Sequence, residues 1–403
     1  MATWIIEPRD PLIARDGRPF GPIPGARATS LSFPFPSTIA GGVRTRLGLN
    51  HDGVFDTSLI PRLKSIGIRG PLLVELSDED EIDRERWLCA APLDAILFEG
   101  ESADNDTACR KRLVPLRIKP GEGTNLPTDL APVGLVRSDP RKPHLCSPRF
   151  WYWEQLLKWL QTPSYDNADE GEAMVLRSLG HNGLTPENRT HVGIEPVDQS
   201  AIEGALFQTR GLEFTMNAKI SDSPEADLRR MALAVVVEDS VDVESGLSIT
   251  RGLAPLGGER RLVEWRQSRE PLPECPSNLL TTILRTKHCR LMLLTPAHFE
   301  QGSTPRWLTE PRDGVTAHLS ALVSGRTDVV SGWDLETCKP KPTRRLAPAG
   351  AMMFLNLEGD AAGVERWVKN TWMRNISDDA THRRDGFGLC VLGAWDGIFN
   401  AME

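Results

Sequence analysis

The chain has 403 residues, 40% of them apolar and 25% charged, and its 47 Lys and Arg against 55 Asp and Glu give a formal charge of −8. That composition excludes a wholly disordered chain, and no apolar run approaches the ~18 residues that a membrane-spanning helix needs. At roughly 150 residues per domain the length predicts two or three domains.

The 34 glycines and 31 prolines make the chain loop-rich. The opening MATWIIEPRDPL lacks a basic stretch followed by an apolar one, so no secretory signal is expected. The cysteines at 89, 109, 146, 275, 289, 338 and 390 form no CxxC. This spacing argues against a thiolate zinc site, and scattered thiols suit a reducing cytosol. No metal and no cofactor is expected.

An excess of acid argues against a surface coated with nucleic-acid-binding charge, but the signs are segregated. Residues 75–85 carry seven acids and one Arg, and residues 99–106 carry four more acids. The basic clusters lie at Arg110-Lys111-Arg112, 137–144, 258–261, 339–345 and 382–384. Such runs commonly mark a solvated face, and Arg110–Arg112 reads as one. The acidic stretch 75–106 fits docking onto basic protein partners and plain solubility alike.

In chain order, residues 3–6 read as a first strand, followed by a Pro/Gly loop. Pro36 with Ser37 or Thr38 marks a helix start, and Ile39, Val43 and Leu47 recur on one face of that helix. Gly41 and Gly42 inside it cost on the order of 1–2 kcal/mol relative to Ala. They point to close approach of a ligand, another backbone or a tightly packed sheet. Residues 71–76, 87–91 and 113–118 read as strands, and 119–149 as a long insertion. Residues 150–162 read as an amphipathic helix with Trp153, Leu156, Leu157 and Leu160 on one face, its tryptophans serving the core or base stacking. Residues 163–187 read as a polar linker.

The second half opens with THVGIE at 190–195, which puts His191 in mid-strand. Residues 212–220 alternate apolar and polar as a strand does, and 233–237 read as a buried strand. A helix is expected over 277–287, and strands over 289–295 and 348–357. Val364, Trp367, Val368 and Thr371 share a helix face. Residues 385–395 form a glycine-rich loop leading into an apolar stretch. No fixed-period repeat is present, and the absence of regular βαβ alternation favours an α+β chain over a doubly wound sheet.

No HExxH, GxSxG or GxxxxGK[ST] signature occurs. A metal-independent ribonuclease needs a positioned acid or base, often His. His382, beside Arg383, Arg384 and the glycine loop, is the better catalytic candidate; His191 reads as a hydrogen-bonded or ligand-contacting strand residue.

The segments EPRDPLIARDGRPF and PFPSTIAGGVRTRLG, then HVGIEPVDQSAIEGALFQT, APLGGERRLVEW, LMLLTPAHFEQG, SGWDLETCKPKPTRRLAPAGAMMFL and the closing GFGLCVLGAW come in a fixed order. In that order they resemble the family of third subunits of the Cmr complex, the type III-B CRISPR effector, within the RAMP superfamily of RNA-binding CRISPR proteins. Residues 75–187 match least well. The resemblance implies α+β architecture with two ferredoxin-like (RRM-like) domains and long loop insertions. It implies binding of the 5′ repeat-derived tag of the CRISPR RNA, and contact with the Cas10-type large subunit and the RAMP backbone subunits. It implies no nuclease activity, a cytoplasmic ribonucleoprotein and no membrane.

The break in periodicity over 163–187 sets the expected domains at 1–187 and 188–403, with strand exchange between them allowed for. RNA-binding candidates are Arg15, Arg18, Ser37, Thr38, Arg44, Arg46, His191, Arg260, Arg261, Lys339, Lys341, Arg344, Arg345, Gly386 and Gly388. A helix start at Ser37-Thr38 offers free N–H groups to an anion. The prolines between Lys339 and Arg345 hold an extended basic strip suited to a single-stranded backbone. The glycine loop lets backbone amides approach phosphates. The competing readings are a CRISPR-RNA processing endoribonuclease of the same superfamily and an adaptor that touches only protein.

Overall fold

The computed structural model describes residues 1–15, 27–28, 30–50, 52–100, 106–127, 129–163, 172–217, 228–238, 247–302, 304–306, 310–334, 337 and 339–401. The elements used below are, in chain order, β1 (Ala2–Pro8), α1 (Pro36–Leu47), β2 (Ile68–Leu76), β3 (Ile82–Ala90), β4 (Ala95–Glu99), β5 (Thr107–Arg112), β6 (Phe150–Tyr152), α2 (Trp153–Gln161) and β7 (Glu172–Val175). Then come β8 (Thr185–Ile194), β9 (Ala201–Glu213), β10 (Leu228–Val237), β11 (Gly252–Leu256), β12 (Arg261–Ser268), α3 (Ser277–Thr286), β13 (His288–Leu293) and β14 (Thr316–Val323). The chain closes with β15 (Asp328–Asp334), β16 (Lys339–Leu346), β17 (Met352–Glu358), α4 (Ala361–Thr371), α5 (Ala380–Arg384) and β18 (Leu389–Ala394).

The fold is mixed α/β and strand-rich, with few helices. Among the described residues no helix is long and apolar enough to cross a membrane. Two compact units divide the chain: Met1–Asp83, Gly183–Glu270 and Val329–Arg344 form the first, and Arg84–Asn182, Pro271–Asp328 and Arg345–Glu403 the second.

In the first unit the strands run in the order β2–β10–β1–β12–β11, all neighbours antiparallel. With β1, β2, β10 and β12 counted first to fourth along the chain, the spatial order is 4-1-3-2. The central strands are the apolar runs: Ile5, Ile6, Leu233 and Val237 are fully enclosed, where β-branched side chains pack well. Helix α1 links β1 to β2. Its first residue is Pro36, whose missing N–H is no loss there, and its inward face is Ile39, Val43 and Leu47. A Cβ at Gly42 would stand 2.5 Å from Leu256 Cδ1, while one at Gly41 would meet nothing within 4 Å. Gly42 therefore answers to sheet packing.

The acidic run after β2 is partly turned inward. Glu75 is buried and pairs with Arg229 at 2.7 Å. Asp80 pairs with Arg230, and its carbonyl accepts from Arg266 Nε at 2.9 Å.

In the second unit the main sheet runs β14–β17–β13–β18, all antiparallel. With these strands counted in chain order the arrangement is again 4-1-3-2. Helix α4 links β17 to β18 and buries Val364, Trp367, Val368 and Thr371, the face its spacing predicts. A second sheet runs β7–β5–β4.

Three sequence expectations change here. Residues 150–152 form strand β6, and the helix starts at Trp153. Its buried face is Trp153, Leu156, Trp159 and Leu160, with Trp159 in place of Leu157. The linker 163–187 holds β7 and the start of β8, because β7 pairs with the sequence-remote β5, a partnership that local periodicity does not encode. Residues 218–220, expected to end a strand, lie outside the described residues.

The basic cluster at 110–112 is not solvated. Arg110, Lys111 and Arg112 are 5–6% exposed. The Arg112 guanidinium lies 3.7 Å from the Trp159 ring centroid and donates to the carbonyls of Trp159 and Thr162. Beside it Arg290, itself buried, donates to Asp94 Oδ2 at 2.7 Å, and Trp159 Nε1 donates to Asp94 Oδ1 at 2.8 Å. The charges are tolerated because carboxylate, carbonyls and an aromatic face replace water around them.

Candidate functional site

Two exposed arginines of the first unit, Arg15 and Arg260, lie at the turn between β11 and β12. Gly257, Glu259 and Arg260 have φ of 72°, 55° and 52°, a left-handed path that folds the turn tightly. Segment 12–15 lies against it: Gly258 N donates to Ile13 O at 2.7 Å, and a Cβ at Gly258 would stand 3.1 Å from Arg15 Cδ. Arg15 and the Arg260-Arg261 pair, far apart in sequence, thus share one turn. Arg15 and Arg260 are exposed, and Arg261 pairs with Glu259 at 3.1 Å. Arg18 lies outside the described residues.

Ser37 and Thr38 sit half-buried in the first turn of α1, with Phe35 as the cap residue and Thr38 N donating to Phe35 O at 3.0 Å. The two arginines of α1 fasten neighbouring backbone. Arg44 donates to Ile66 O at 3.1 Å. Arg46 donates to Thr250 O at 2.9 Å and Leu253 O at 3.3 Å, and burial lowers its pKa from the usual guanidinium value. The two lie on differing faces of the helix, and the segment running into β11, which the sequence does not announce, gives Arg46 its carbonyl partners.

His191 lies in β8 as expected. Its Nε2 is 2.8 Å from Thr209 Oγ1 on β9, and its ring stacks on Phe207 with centroids 5.0 Å apart and planes 15° from parallel. Phe207 was missed in the sequence. It stands directly across the ladder from His191, a partner that only the register reveals.

The basic strip is an extended strand, β16, paired with β15 in a two-stranded ribbon. Ser331 Oγ donates to Lys341 O at 3.1 Å. Side chains alternate along a strand, so Lys339, Lys341 and Arg345 face one side and Arg344 the other. Lys339 and Arg345 are exposed, while Lys341 and Arg344 are half-buried.

In the second unit Gly386 and Gly388 are buried. Their φ values of 94° and 85° are left-handed. Their amides donate to Arg383 O at 3.1 Å and Pro296 O at 2.8 Å, so these two N–H groups serve the fold. His382 is 7% exposed, its ring centroid 4.6 Å from that of His298 and 6.0 Å from that of Phe387. Burial raises the Cys89 thiol to about 12 and the Cys275 thiol to about 11, which leaves both as poor nucleophiles. Among the described residues no group of three His, Cys, Asp or Glu is placed to hold a metal ion.

A family model described as CRISPR-associated protein (Cas_Cmr3) matches residues 4–395. The chain belongs to that family. Membership in Cas_Cmr3 covers nearly every element above, including the weakly matching middle. A search of curated proteins returns no match. Among solved structures, the chain is similar to one from a type III-B Cmr-beta bound to cognate target RNA and AMPPnP (14% identity, 96% of this chain and 94% of that one, TM-score 0.46). A second, from the type III-B Cmr-beta bound to cognate target RNA, shares 16% identity over 87% of this chain and 86% of the other, at a TM-score of 0.43. A third, from the Csm3-Csm4 subcomplex of the type III-A CRISPR-Cas interference complex, shares 11% identity over 89% and 94%, at a TM-score of 0.34.

Proposed function

We propose that this Cas_Cmr3 chain is a non-catalytic RNA-binding subunit of a type III-B CRISPR effector ribonucleoprotein. In this reading it holds the 5′ repeat-derived tag of the CRISPR RNA, docks the Cas10-type large subunit and works in the cytoplasm. Family membership over residues 4–395 carries the reading. The 4-1-3-2 antiparallel order in each unit supports two ferredoxin-like domains.

The exposed basic face of β16 and the Arg15–Arg260 turn suit a phosphate backbone, which cations hold without reading sequence. Lys339, Lys341 and Arg345 form the strip, and Arg15 and Arg260 the turn. His191 and Phe207 offer a ring pair for a base. Ser37 remains a candidate at the helix start, whereas the Thr38 amide already serves Phe35 O, and Arg44, Arg46, Gly386 and Gly388 contribute by shaping the fold. The enclosure of His382 by His298 and Phe387 argues against cleavage, since a general base must reach the proton it takes.

Crosslinking of tag-length RNA within the reconstituted complex tests the assignment, and adducts at β16 or the Arg260 turn are expected. Adducts confined to other subunits would overturn it. Repeat RNA incubated with the isolated chain should stay intact. Cleavage abolished by His382→Ala would favour the endoribonuclease reading instead.

A further inference from the structure

The loop between β2 and β3 carries four carboxylates in succession, Asp78, Glu79, Asp80 and Glu81. It is a closed turn: Asp80 N donates to Ser77 O at 3.0 Å, and Ser77 N to Glu81 O at 2.9 Å. Asp80 has a φ of 64°, a left-handed conformation that Asp enters more readily than most residues, though not without strain. In it the carboxylate pairs with Arg230, and the Asp80 carbonyl accepts from Arg266 Nε at 2.9 Å.

The loop meets a surplus of guanidinium. Glu7, on β1, is buried, and three arginines converge on it. Arg266 Nη1 lies 2.5 Å from Oε2, and Arg9 Nη1 and Arg230 Nη1 lie 3.4 and 3.5 Å from Oε1. Arg9 also pairs with Glu264, and Arg251 stands 3.6 Å from that carboxylate. These pairs set four arginines, 9, 230, 251 and 266, against three carboxylates, Glu7, Asp80 and Glu264. Arg266 is 7% exposed, and its buried Nη2 has no hydrogen-bond partner among the described residues. A buried N–H without an acceptor is costly, and together with the surplus charge it marks a place that would hold a further anion.

The contact that closes the loop onto the arginines is open to exchange. The side chains of Arg230 and Asp80 are 40% and 54% exposed, and an ion pair that open to water contributes little. Phosphate suits arginine better, because a guanidinium holds it through two parallel N–H bonds. The Arg230 guanidinium keeps the Asp80 carboxyl below its usual pKa, so at neutral pH the loop competes as an anion. The position favours a nucleic acid over an acidic protein. Arg9 N donates to Leu262 O at 2.9 Å, which brings the cluster up to the β11–β12 turn with its Arg15 and Arg260. A run of exposed cations of this kind tracks a single-stranded backbone. We propose that the β2–β3 loop is a built-in phosphate mimic: Asp80 occupies a nucleic-acid phosphate site formed by Arg9, Arg230 and Arg266, and bound RNA displaces it. The proposal rests on the RNA-binding reading above and adds a self-masked site to it.

The test titrates single-stranded repeat RNA into the full chain as wild type, Asp80→Asn, Arg230→Ala, the double variant and Asp78→Asn, over a salt series, with poly-glutamate as a second probe. Asn accepts the left-handed conformation, so Asp80→Asn keeps the turn, and melting temperatures confirm that each variant folds. Asp80→Asn should bind RNA roughly two- to fivefold more tightly, the range that an exposed ion pair is worth as a competitor. Arg230→Ala should bind RNA more weakly and flatten the salt slope by about 0.7, and adding Asp80→Asn to it should bring no further gain. Asp78, exposed on the same loop, controls for net charge, and Asp78→Asn should stay near wild type. Unchanged or weaker RNA binding by Asp80→Asn would overturn the proposal, as would an equal gain from Asp78→Asn. Tighter poly-glutamate binding by Asp80→Asn with RNA affinity unchanged would overturn it in favour of an acidic protein. RNA binding that Asp80→Asn and Arg230→Ala both leave alone would sink the proposal and leave the RNA-binding reading standing. If the wild-type chain binds no RNA, that reading falls and the proposal with it.

Discussion

Replacing Lys339, Lys341 and Arg345 together by Ala should flatten the salt dependence of RNA binding by an amount set by strand geometry. The strip holds four cations, and strand alternation puts these three on one face and Arg344 on the other. Each cation neutralising a phosphate of a single strand adds about 0.7 to the slope of log affinity against log salt, so three add about 2. Between 50 and 200 mM salt, a change of about 0.6 log units, that slope is worth roughly a 20-fold difference in affinity. Arg344→Ala, on the opposite face of the strand, should leave the slope near wild type. Fluorescence anisotropy of tag RNA and a scrambled RNA of equal length, over a salt series, reads both quantities. The loss should be the same for both sequences, because phosphate contacts carry no sequence information. A triple variant with the wild-type slope, or Arg344→Ala flattening it as much as Lys341→Ala, would refute the reasoning.

Asp94→Ala should destabilise the second unit by about 3–5 kcal/mol, because it strands the buried Arg290 charge; Asp94→Leu with Arg290→Met should recover most of the loss in denaturant titrations. Gly41→Ala should raise stability by up to about 1 kcal/mol through helix propensity, whereas Gly42→Ala should lower it by about 1–3 kcal/mol by overpacking against Leu256, both read as shifts in melting temperature. Gly388→Ala should destabilise, since φ is 85° and the new Cβ would stand 2.8 Å from Ser377 N; a melting temperature equal to wild type would contradict this. The Asp139 carboxyl is held well below the ordinary range, first by the Arg141 guanidinium and also by Lys111, with its side chain 1% exposed. Its contribution is present above the unfolded carboxylate pKa of about 3.9 and fades as pH falls below it. Asp139→Asn should therefore melt below wild type at pH 7, with the gap narrowing under about pH 4.

The family, a mixed α/β chain and most elements with a strong period were legible in the sequence. Ile39, Val43 and Leu47 on α1, the buried run 233–237 and the α4 face from Val364 to Thr371 all follow from spacing, because each element buries one face and spacing reports which. Chain segments brought together across long loops decided the rest. The charge pattern of Arg110–Arg112 looks solvated in sequence and is core, because Asp94, Trp159 and backbone carbonyls supply the partners that water would. Gly42 faces Leu256 and Trp265, and Arg15 packs against Gly258 of the β11–β12 turn. Arg46 reads as an RNA-binding candidate and is fastened to the carbonyls of Thr250 and Leu253. A linear pattern records which residues want water; which of them find a protein partner instead depends on strand order and register, and those are set by the whole fold.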